Sequence, residues 1–146
     1  MKTTLVKLYS LSIIALAGVL SSCEKDADQW LQDNVTVIGK YANISGFTAS
    51  STKPTAGATV KLDLRYWSEE QIDKINLNVK VGADVKQTVS TTPYKAAYSK
   101  ISKTDSLLLQ YNVPAGLAAG TAIVVEAEVV NKNTLKNAST VTLTVQ

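Results

Sequence analysis

The 146-residue sequence has no histidine and a single cysteine. Without histidine, the chain lacks the residue most used in catalytic triads, zinc sites and pH switches near neutrality. A single cysteine excludes an internal disulfide and CxxC redox chemistry. The formal net charge of +3 is too small to indicate a nucleic-acid-binding protein. A chain of this length supports about one domain of ordinary size.

The first 22 residues have the order of an export signal. Lys2 and Lys7 form a basic start, and the 13 residues from 8 to 20 carry no charge. This uncharged stretch is shorter than the roughly 20 residues that cross a bilayer as a helix. It is typical of the apolar core of a signal peptide, so we predict that residues 1–22 are a signal peptide.

The tetrapeptide LSSC at positions 20–23 resembles the lipobox of bacterial lipoproteins. In that family the cysteine thiol receives a lipid, the preceding peptide is removed, and the cysteine becomes the first residue of the mature chain. The resemblance implies that Cys23 is lipidated and holds the protein on the outer membrane. The alternative is an unlipidated signal peptide that happens to end near an ordinary cysteine.

A polar tether at residues 24–34 follows this cysteine and starts with EKDAD. Its residues Glu24, Lys25, Asp26 and Asp28 resemble the acidic segment after the lipidated cysteine in surface-exposed lipoproteins of the Bacteroidota. There the segment directs export to the outer leaflet, which implies cell-surface exposure here. The alternatives are a solvated tether without a signal and an outer-membrane protein that faces the periplasm. We predict that residues 35–146 form the folded domain.

Apolar and polar residues alternate along much of this domain, at 60–66, 75–81, 123–129 and 141–145. A period of two is typical of strands with one face on a core. Further strands are predicted over 35–47, 84–91, 95–102 and 106–113, and residues 68–71 are predicted to be a loop. No segment shows a sustained helical period. Seven or eight short strands indicate an all-β antiparallel sandwich, with a closed barrel as the alternative.

Three stretches resemble bacterial Ig-like domains. Residues 57–81 look like their early strands, with a small-residue turn, an alternating strand, a polar loop and a second alternating strand. Residues 113–121 look like their connection into a late strand, and residues 139–145 look like their last strand. The resemblance implies an Ig-like β-sandwich outside the antibody branch, whose disulfide and core tryptophan are missing. The implied relatives are small surface lipoproteins of the Bacteroidota, including accessory lipoproteins of polysaccharide-utilisation systems.

Candidate catalytic groups are weak. The Ser-Lys pairs at 99–100 and 102–103 are adjacent on a predicted strand, so their side chains point to opposite faces. Glu126 and Glu128 share a strand face with Cα atoms about 7 Å apart. Paired carboxylates can hydrolyse glycosides, but an outward strand face indicates ordinary solvated glutamates. We predict that the protein is not an enzyme and uses no cofactor.

Candidate metal ligands are equally weak. Glu69, Glu70 and Asp73 cluster in one predicted loop, and Asp105 is assigned to another. Calcium needs several oxygens from converging loops, and the calcium-binding pattern DxDxDG is absent. A solvated acidic loop is the preferred interpretation, so no metal site is predicted.

The aromatic residues are the remaining candidates for a binding site. Alternation places Trp67 on the outer face or at a strand end, and the four-residue spacing of Tyr94 and Tyr98 predicts a shared strand face. Flat rings can stack on the apolar face of a sugar, which would make these three residues a glycan platform. The alternative is a tryptophan that covers a sheet edge.

One modification signal remains, because residues 105–107 (DSL) resemble the Asp-Ser/Thr-apolar triplet that Bacteroidota glycosylate in exported proteins. The resemblance implies an O-glycan on Ser106.

The leading functional hypothesis is a non-enzymatic, lipid-anchored, cell-surface Ig-like protein. It acts in protein–protein interaction or as an accessory or structural module of the envelope. The alternative is a glycan-binding accessory lipoprotein of a polysaccharide-uptake system. The predicted partners are the outer membrane, through the lipid anchor, and other envelope proteins or surface glycans, but no nucleic acid.

Overall fold

The computed structural model describes residues 39–146, and these residues form eight β-strands without a helix. The strands are β1 (Asn43–Ala49), β2 (Thr59–Trp67), β3 (Ile72–Val81), β4 (Gln87–Pro93), β5 (Tyr98–Ser99), β6 (Thr104–Asn112), β7 (Ala122–Asn131) and β8 (Lys136–Thr144). This part of the chain has no helix that is long and apolar enough to span a membrane. The predicted signal peptide, the lipidation site at Cys23, the acidic segment and the domain boundary at residue 35 lie outside the described residues.

The strands form two four-stranded sheets. Sheet A has the order β1-β2-β6-β5 and sheet B has the order β4-β3-β7-β8, and every pairing is antiparallel. Read in chain order, this arrangement matches strands A-B-E-D and C′-C-F-G of immunoglobulin-like sandwiches. The prediction of an antiparallel Ig-like β-sandwich is therefore confirmed, and the barrel alternative is wrong because the sheets stay separate.

Period-two alternation builds the core between the two sheets. In β2, the buried residues Val60, Leu62, Leu64 and Tyr66 alternate with residues that face solvent. β7 shows the same period, and its inward side chains are fully buried: Ile123, Val125, Ala127 and Val129. Each buried valine, leucine or isoleucine of these strands contributes on the order of 1.5–3 kcal/mol on burial. The loop predicted over residues 68–71 does connect β2 to β3.

The strand predicted over residues 35–47 is described only from residue 39 on. Within this part, β1 begins at Asn43. Residues 39–42 are not a strand, and two of their carbonyls accept hydrogen bonds from side chains. The Asn131 amide donates to the Lys40 carbonyl at 3.0 Å, and the Asn137 amide donates to the Ala42 carbonyl at 2.9 Å.

The strand predicted over 95–102 is wrong, because only the two-residue β5 forms there. The chain passes from sheet B to sheet A over residues 94–97 and turns again at residues 100–103, where Lys103 has a φ of 55°. The buried Asp105 carboxylate holds this crossover. It accepts hydrogen bonds from the Tyr94 hydroxyl and the Ala97 N–H, both at 2.8 Å. Asp105 is thus a strand residue of β6 rather than a loop residue.

The sandwich has two lateral seams, at which the edge strands of the two sheets face each other. We call the first the closed seam; it consists of β1, β8 and the segments 40–42 and 52–54. The Thr52 carbonyl accepts from the Thr144 N–H at 2.8 Å, and the Pro54 carbonyl accepts from the Gln146 N–H at 2.9 Å. We call the second the open seam; it consists of β4 and the edge of β6 that faces away from β2.

Candidate functional site: the open seam

The three aromatic residues predicted as a glycan platform do not share a surface. Trp67 ends β2 and is 41% exposed. It faces outward, because the preceding Tyr66 faces the core. Tyr98 pairs with Asp105, which pairs in turn with Tyr66. This register places Tyr98 on the face of sheet A opposite to that of Trp67.

Tyr94 supports the crossover rather than a binding surface. Its ring meets that of Tyr66 edge-on, with centroids 6.5 Å apart and planes at 73°. Burial, more than the hydrogen bond to Asp105, raises the pKa of Tyr94. Burial is also the largest cause that raises the pKa of Tyr66 to about 12, with Asp105 and Tyr94 adding to it. The prediction that Tyr94 and Tyr98 share a strand face is wrong, since the crossover separates them.

Ser106 lies within β6, opposite Arg65, and is half-buried. Its backbone N–H donates to the Ala97 carbonyl at 3.2 Å. The DSL triplet therefore belongs to a paired strand rather than a loop. Glycosylation of Ser106 stays a prediction.

Glu126 and Glu128 face outward on β7, and each belongs to a row of hydrogen bonds across sheet B. In one row the Thr88 hydroxyl donates to Asn78 Oδ1 at 2.7 Å, and Asn78 Nδ2 donates to Glu126 Oε1 at 2.9 Å. The Lys86 ammonium completes this row with bonds of 2.9 and 3.1 Å to the Glu126 carboxylate. The hydrogen bond to Glu126 is the main cause that raises the pKa of Lys86.

The second row has the same Thr-Asn-Glu-Lys pattern and lies two residues along β3 and β7. The Thr91 hydroxyl donates to Asn76 Oδ1 and Asn76 Nδ2 donates to Glu128 Oε1, both at 2.9 Å, while Lys136 pairs with Glu128 at 3.0 Å. The bond from Asn76 is the main cause that lowers the pKa of Glu128, and Lys136 lowers it further. A general acid needs a raised pKa. This row therefore holds the carboxylate ionised and braces the outer face of sheet B.

The acidic residues near β3 are not gathered into one site. Glu69 pairs with Lys40, and Asp73 lies 3.9 Å from Lys74. Within residues 39–146, no group of three or more cysteine, aspartate or glutamate side chains is placed to hold a metal ion.

Within the described part of the chain, the open seam leaves a full strand without cover. All of β4 is exposed except the half-buried Thr92. At the closed seam, the corresponding edge strand β8 buries Leu143 and half-buries Val141. The sheet orders explain the difference: β1 lies over β8, whereas the position over β4 belongs to β5, which has only two residues.

Two cavities lie along the open seam. The first has a volume of about 440 Å³ and lies between β3, β4 and β6, with Val79, Val89 and Tyr111 in its lining. Burial raises the pKa of Tyr111. The second has a volume of about 400 Å³ and lies beside the crossover, with Ile75 and Leu107 in its lining. Both cavities therefore present apolar side chains between the two sheet edges.

The edge of β6 offers hydrogen-bonding groups at the same place. The Val113 N–H donates to Ala58 on the β2 side, whereas the Ser106 N–H donates to Ala97 on the opposite side. Since N–H groups alternate in direction along an antiparallel strand, odd-numbered residues bind β2 and even-numbered residues face the open seam. Beyond residue 106, β6 pairs only with β2 in the part of the chain that the structure describes. The backbone N–H and C=O groups of three residues thus point sideways, away from β2 and toward the open seam: Leu108, Gln110 and Asn112.

Exposed apolar side chains concentrate on this side. Residues 39–146 contain seven large apolar residues that are well exposed, and five lie on or beside the open seam: Val85, Val89, Tyr98, Ile101 and Leu108. The sequence analysis missed this surface. The usable signal was the run of three leucines at 107–109, because alternation must turn the middle one outward, where it is 77% exposed.

Comparisons with known proteins add the following. No family model matches the chain, and no curated protein matches it. Among solved structures, the chain is similar to a chain of the archaeal flagellum of Methanospirillum hungatei strain JF1. The match has 15% sequence identity and a TM-score of 0.41, and it covers 97% of this chain and 92% of the other.

Proposed function

We propose that this protein is a non-enzymatic module of the bacterial cell surface, held on the outer membrane by a lipid on Cys23, and that it acts through protein–protein contact. The open seam is the surface that makes this contact. The proposal joins the anchor implied by the LSSC tetrapeptide to the one part of the described domain that is built unlike a closed sandwich.

The observation that carries the proposal is the coincidence of three features on one side. Within residues 39–146, this side combines a strand without cover, a strand edge without a pairing partner and five of the seven well-exposed large apolar residues. Exposed apolar side chains that are concentrated on one side of a domain are typical of interaction sites. An unpaired edge adds directional hydrogen bonds. A spacer without partners gains nothing from such a surface.

Site-specific photocrosslinking in intact cells tests the contact. A photoreactive residue at Leu108 reports on the open seam, and one at Tyr41, which is also exposed, is the matched control. The expected result is a discrete crosslinked protein from position 108 and none from position 41. Equal crosslinking from both positions, or none from either, contradicts the proposal.

The anchor has its own test. Replacing Cys23 with serine removes the thiol that would receive the lipid. We expect loss of metabolic lipid labelling and loss of the protein from the outer-membrane fraction, and we expect protease added to intact cells to digest the wild-type protein. A wild-type protein without lipid label, or a variant that still fractionates with the outer membrane, contradicts the anchor and leaves the proposal for the open seam unaffected.

The glycan alternative has less support from the geometry. Of the predicted platform, Trp67 alone keeps an outward and exposed ring, while Tyr94 is held by Asp105 and Tyr98 lies on the other face. A glycan array with wild type and Trp67→Ala distinguishes glycan binding from protein–protein contact. A glycan signal that disappears in the variant favours the alternative.

A further inference from the structure

Sheet A is one strand narrower than sheet B over most of its length. Sheet B has four strands of seven to ten residues. Sheet A has three strands of seven to nine residues plus the two residues of β5. Beyond β5, therefore, no strand lies over β4 or beside β6 within residues 39–146. We call this position the open lane; it runs beside residues 107–112.

The open lane has the features that an added strand requires. The backbone groups of Leu108, Gln110 and Asn112 provide a hydrogen-bonding ladder at a two-residue spacing. Every second side chain of an added strand would turn inward. These side chains would enter the two cavities of about 440 and 400 Å³, whose linings include Val79, Val89, Ile75 and Leu107.

The two ends of the open lane differ in charge. Asp84 is the charged residue in the lining of the cavity near Asn112. Lys95 is the charged residue in the lining of the cavity near Ser106, and the turn at 100–103 adds two more lysines at this end. An occupant with a basic end at Asp84 and an acidic end at Lys95 complements this distribution.

The geometry points to β-strand addition: the open lane binds an extended segment of a partner protein, antiparallel to β6. The segment is about five residues long, is apolar at alternate positions, and is basic at its start and acidic at its end. Because β6 runs from the lysine end to the Asp84 end, an antiparallel segment starts beside Asp84. Backbone bonds supply affinity in this mode, and alternate side chains supply specificity. The inference rests on the proposed function, since it specifies how the partner is held.

A synthetic probe tests the inference on the full chain in non-ionic detergent. The probe is the blocked, fluorescent peptide Lys-Thr-Val-Thr-Ile-Thr-Val-Asp-Glu. One control peptide has its charged ends exchanged, and another carries proline in place of the central isoleucine. We expect anisotropy to show binding of the probe, binding about threefold weaker with exchanged ends, and no binding with proline.

Two matched protein variants test the backbone ladder. Gln110→Pro removes one N–H that faces the open lane, and Thr140→Pro removes one that faces away from β7 at the closed seam. Val145 donates to Thr121, so even-numbered residues of β8 face outward. We expect Gln110→Pro to weaken probe binding about tenfold and Thr140→Pro to leave it unchanged. Val89→Trp, which fills the larger cavity from β4, is a second blocking variant if Gln110→Pro does not fold.

Amide hydrogen exchange supplies the signature of strand addition. The probe should protect Leu108, Gln110 and Asn112, whereas Leu109 and Tyr111 are already protected by β2. Binding that is equal in Gln110→Pro and wild type, or protection without alternation, overturns the inference. Protection of the three amides without probe also overturns it: sedimentation as a monomer then identifies the chain's own N-terminal segment as the occupant, and a dimer identifies a second copy. A crosslink from position 108 that persists in Gln110→Pro overturns strand addition alone and leaves the proposed function standing.

Discussion

The closed seam and the open seam are built from similar strands but differ in what lies over them. At the closed seam, Phe47 of β1 is only 8% exposed, and the carbonyls of Thr52 and Pro54 bind the end of the chain. At the open seam, Val89 of β4 is 50% exposed. The same sandwich therefore buries apolar side chains at one edge and leaves them in solvent at the other.

The two edges within the open seam also differ from each other. β4 has a register irregularity opposite residues 77–78 and ends in Pro93, and both features discourage edge-to-edge pairing. The stretch of β6 from 107 to 112 has neither lysine nor proline. Since proteins commonly protect exposed edges with such residues, the lack of protection on β6 indicates an edge that is available for pairing.

The largest expected effect is a difference in unfolding free energy between a variant at the closed seam and a variant at the open seam. Phe47→Ala removes a buried aromatic ring and should lower the free energy of unfolding by about 3–5 kcal/mol. Val89→Ala removes a half-exposed side chain and should lower it by less than about 0.5 kcal/mol. Urea unfolding of both variants measures the difference, and equal losses would mean that β4 is covered in solution.

A smaller effect is expected for Asn131, which ties the closed seam together. Its amide donates to the Lys40 carbonyl at 3.0 Å and to the Ser68 hydroxyl at 3.1 Å. Asn131→Ala leaves the Lys40 carbonyl without its donor in a part-buried contact, so we expect a loss of about 1–3 kcal/mol in unfolding free energy. Lys132→Ala in the same hairpin is the exposed control. Similar stability of the two variants would contradict the role of Asn131.

The charged rows on sheet B predict a pH dependence. The folded protein lowers the pKa of Glu128, so its contribution is present above the unfolded value of about 4.3 and is lost as pH falls through the folded pKa. Glu128→Gln should cost about 0.5–1 kcal/mol at pH 7. The gap between wild type and variant should shrink as unfolding is measured from pH 6 down to pH 3. If the difference in unfolding free energy stays constant over this range, the charge of Glu128 is not its cause.

The smallest effect on stability is expected at the free edge itself. Leu108→Lys places a charge on an outward and exposed position, so the unfolding free energy should change by less than about 0.5 kcal/mol. The same variant should lose the crosslinked partner, because charged residues on an edge oppose strand pairing. Crosslinking from the neighbouring Gln110 in this variant provides the readout. Destabilisation by more than 1 kcal/mol would show that Leu108 is packed.

Predictions from the sequence were correct for the core strands and wrong for the crossover beside the open seam. Strands with one buried face, such as β2 and β7, were predictable because their period of two is written in the sequence. The interval 95–102 was not, since its β-prone residues are used for a crossover held by Asp105, a contact that the local pattern does not reveal. The same error put Tyr98 on one predicted surface with Trp67. The face that a strand residue occupies depends on the pairing register, and the register depends on both strands at once.

The sequence by itself determined the sandwich class and its buried faces, since alternation is a local property of each strand. It also supplies the arguments for the anchor at Cys23, which the described residues do not reach. Only the tertiary structure decided that one seam is closed and the other open. That difference depends on which strands become neighbours and on the two-residue length of β5, and both arise from contacts between residues far apart in the chain.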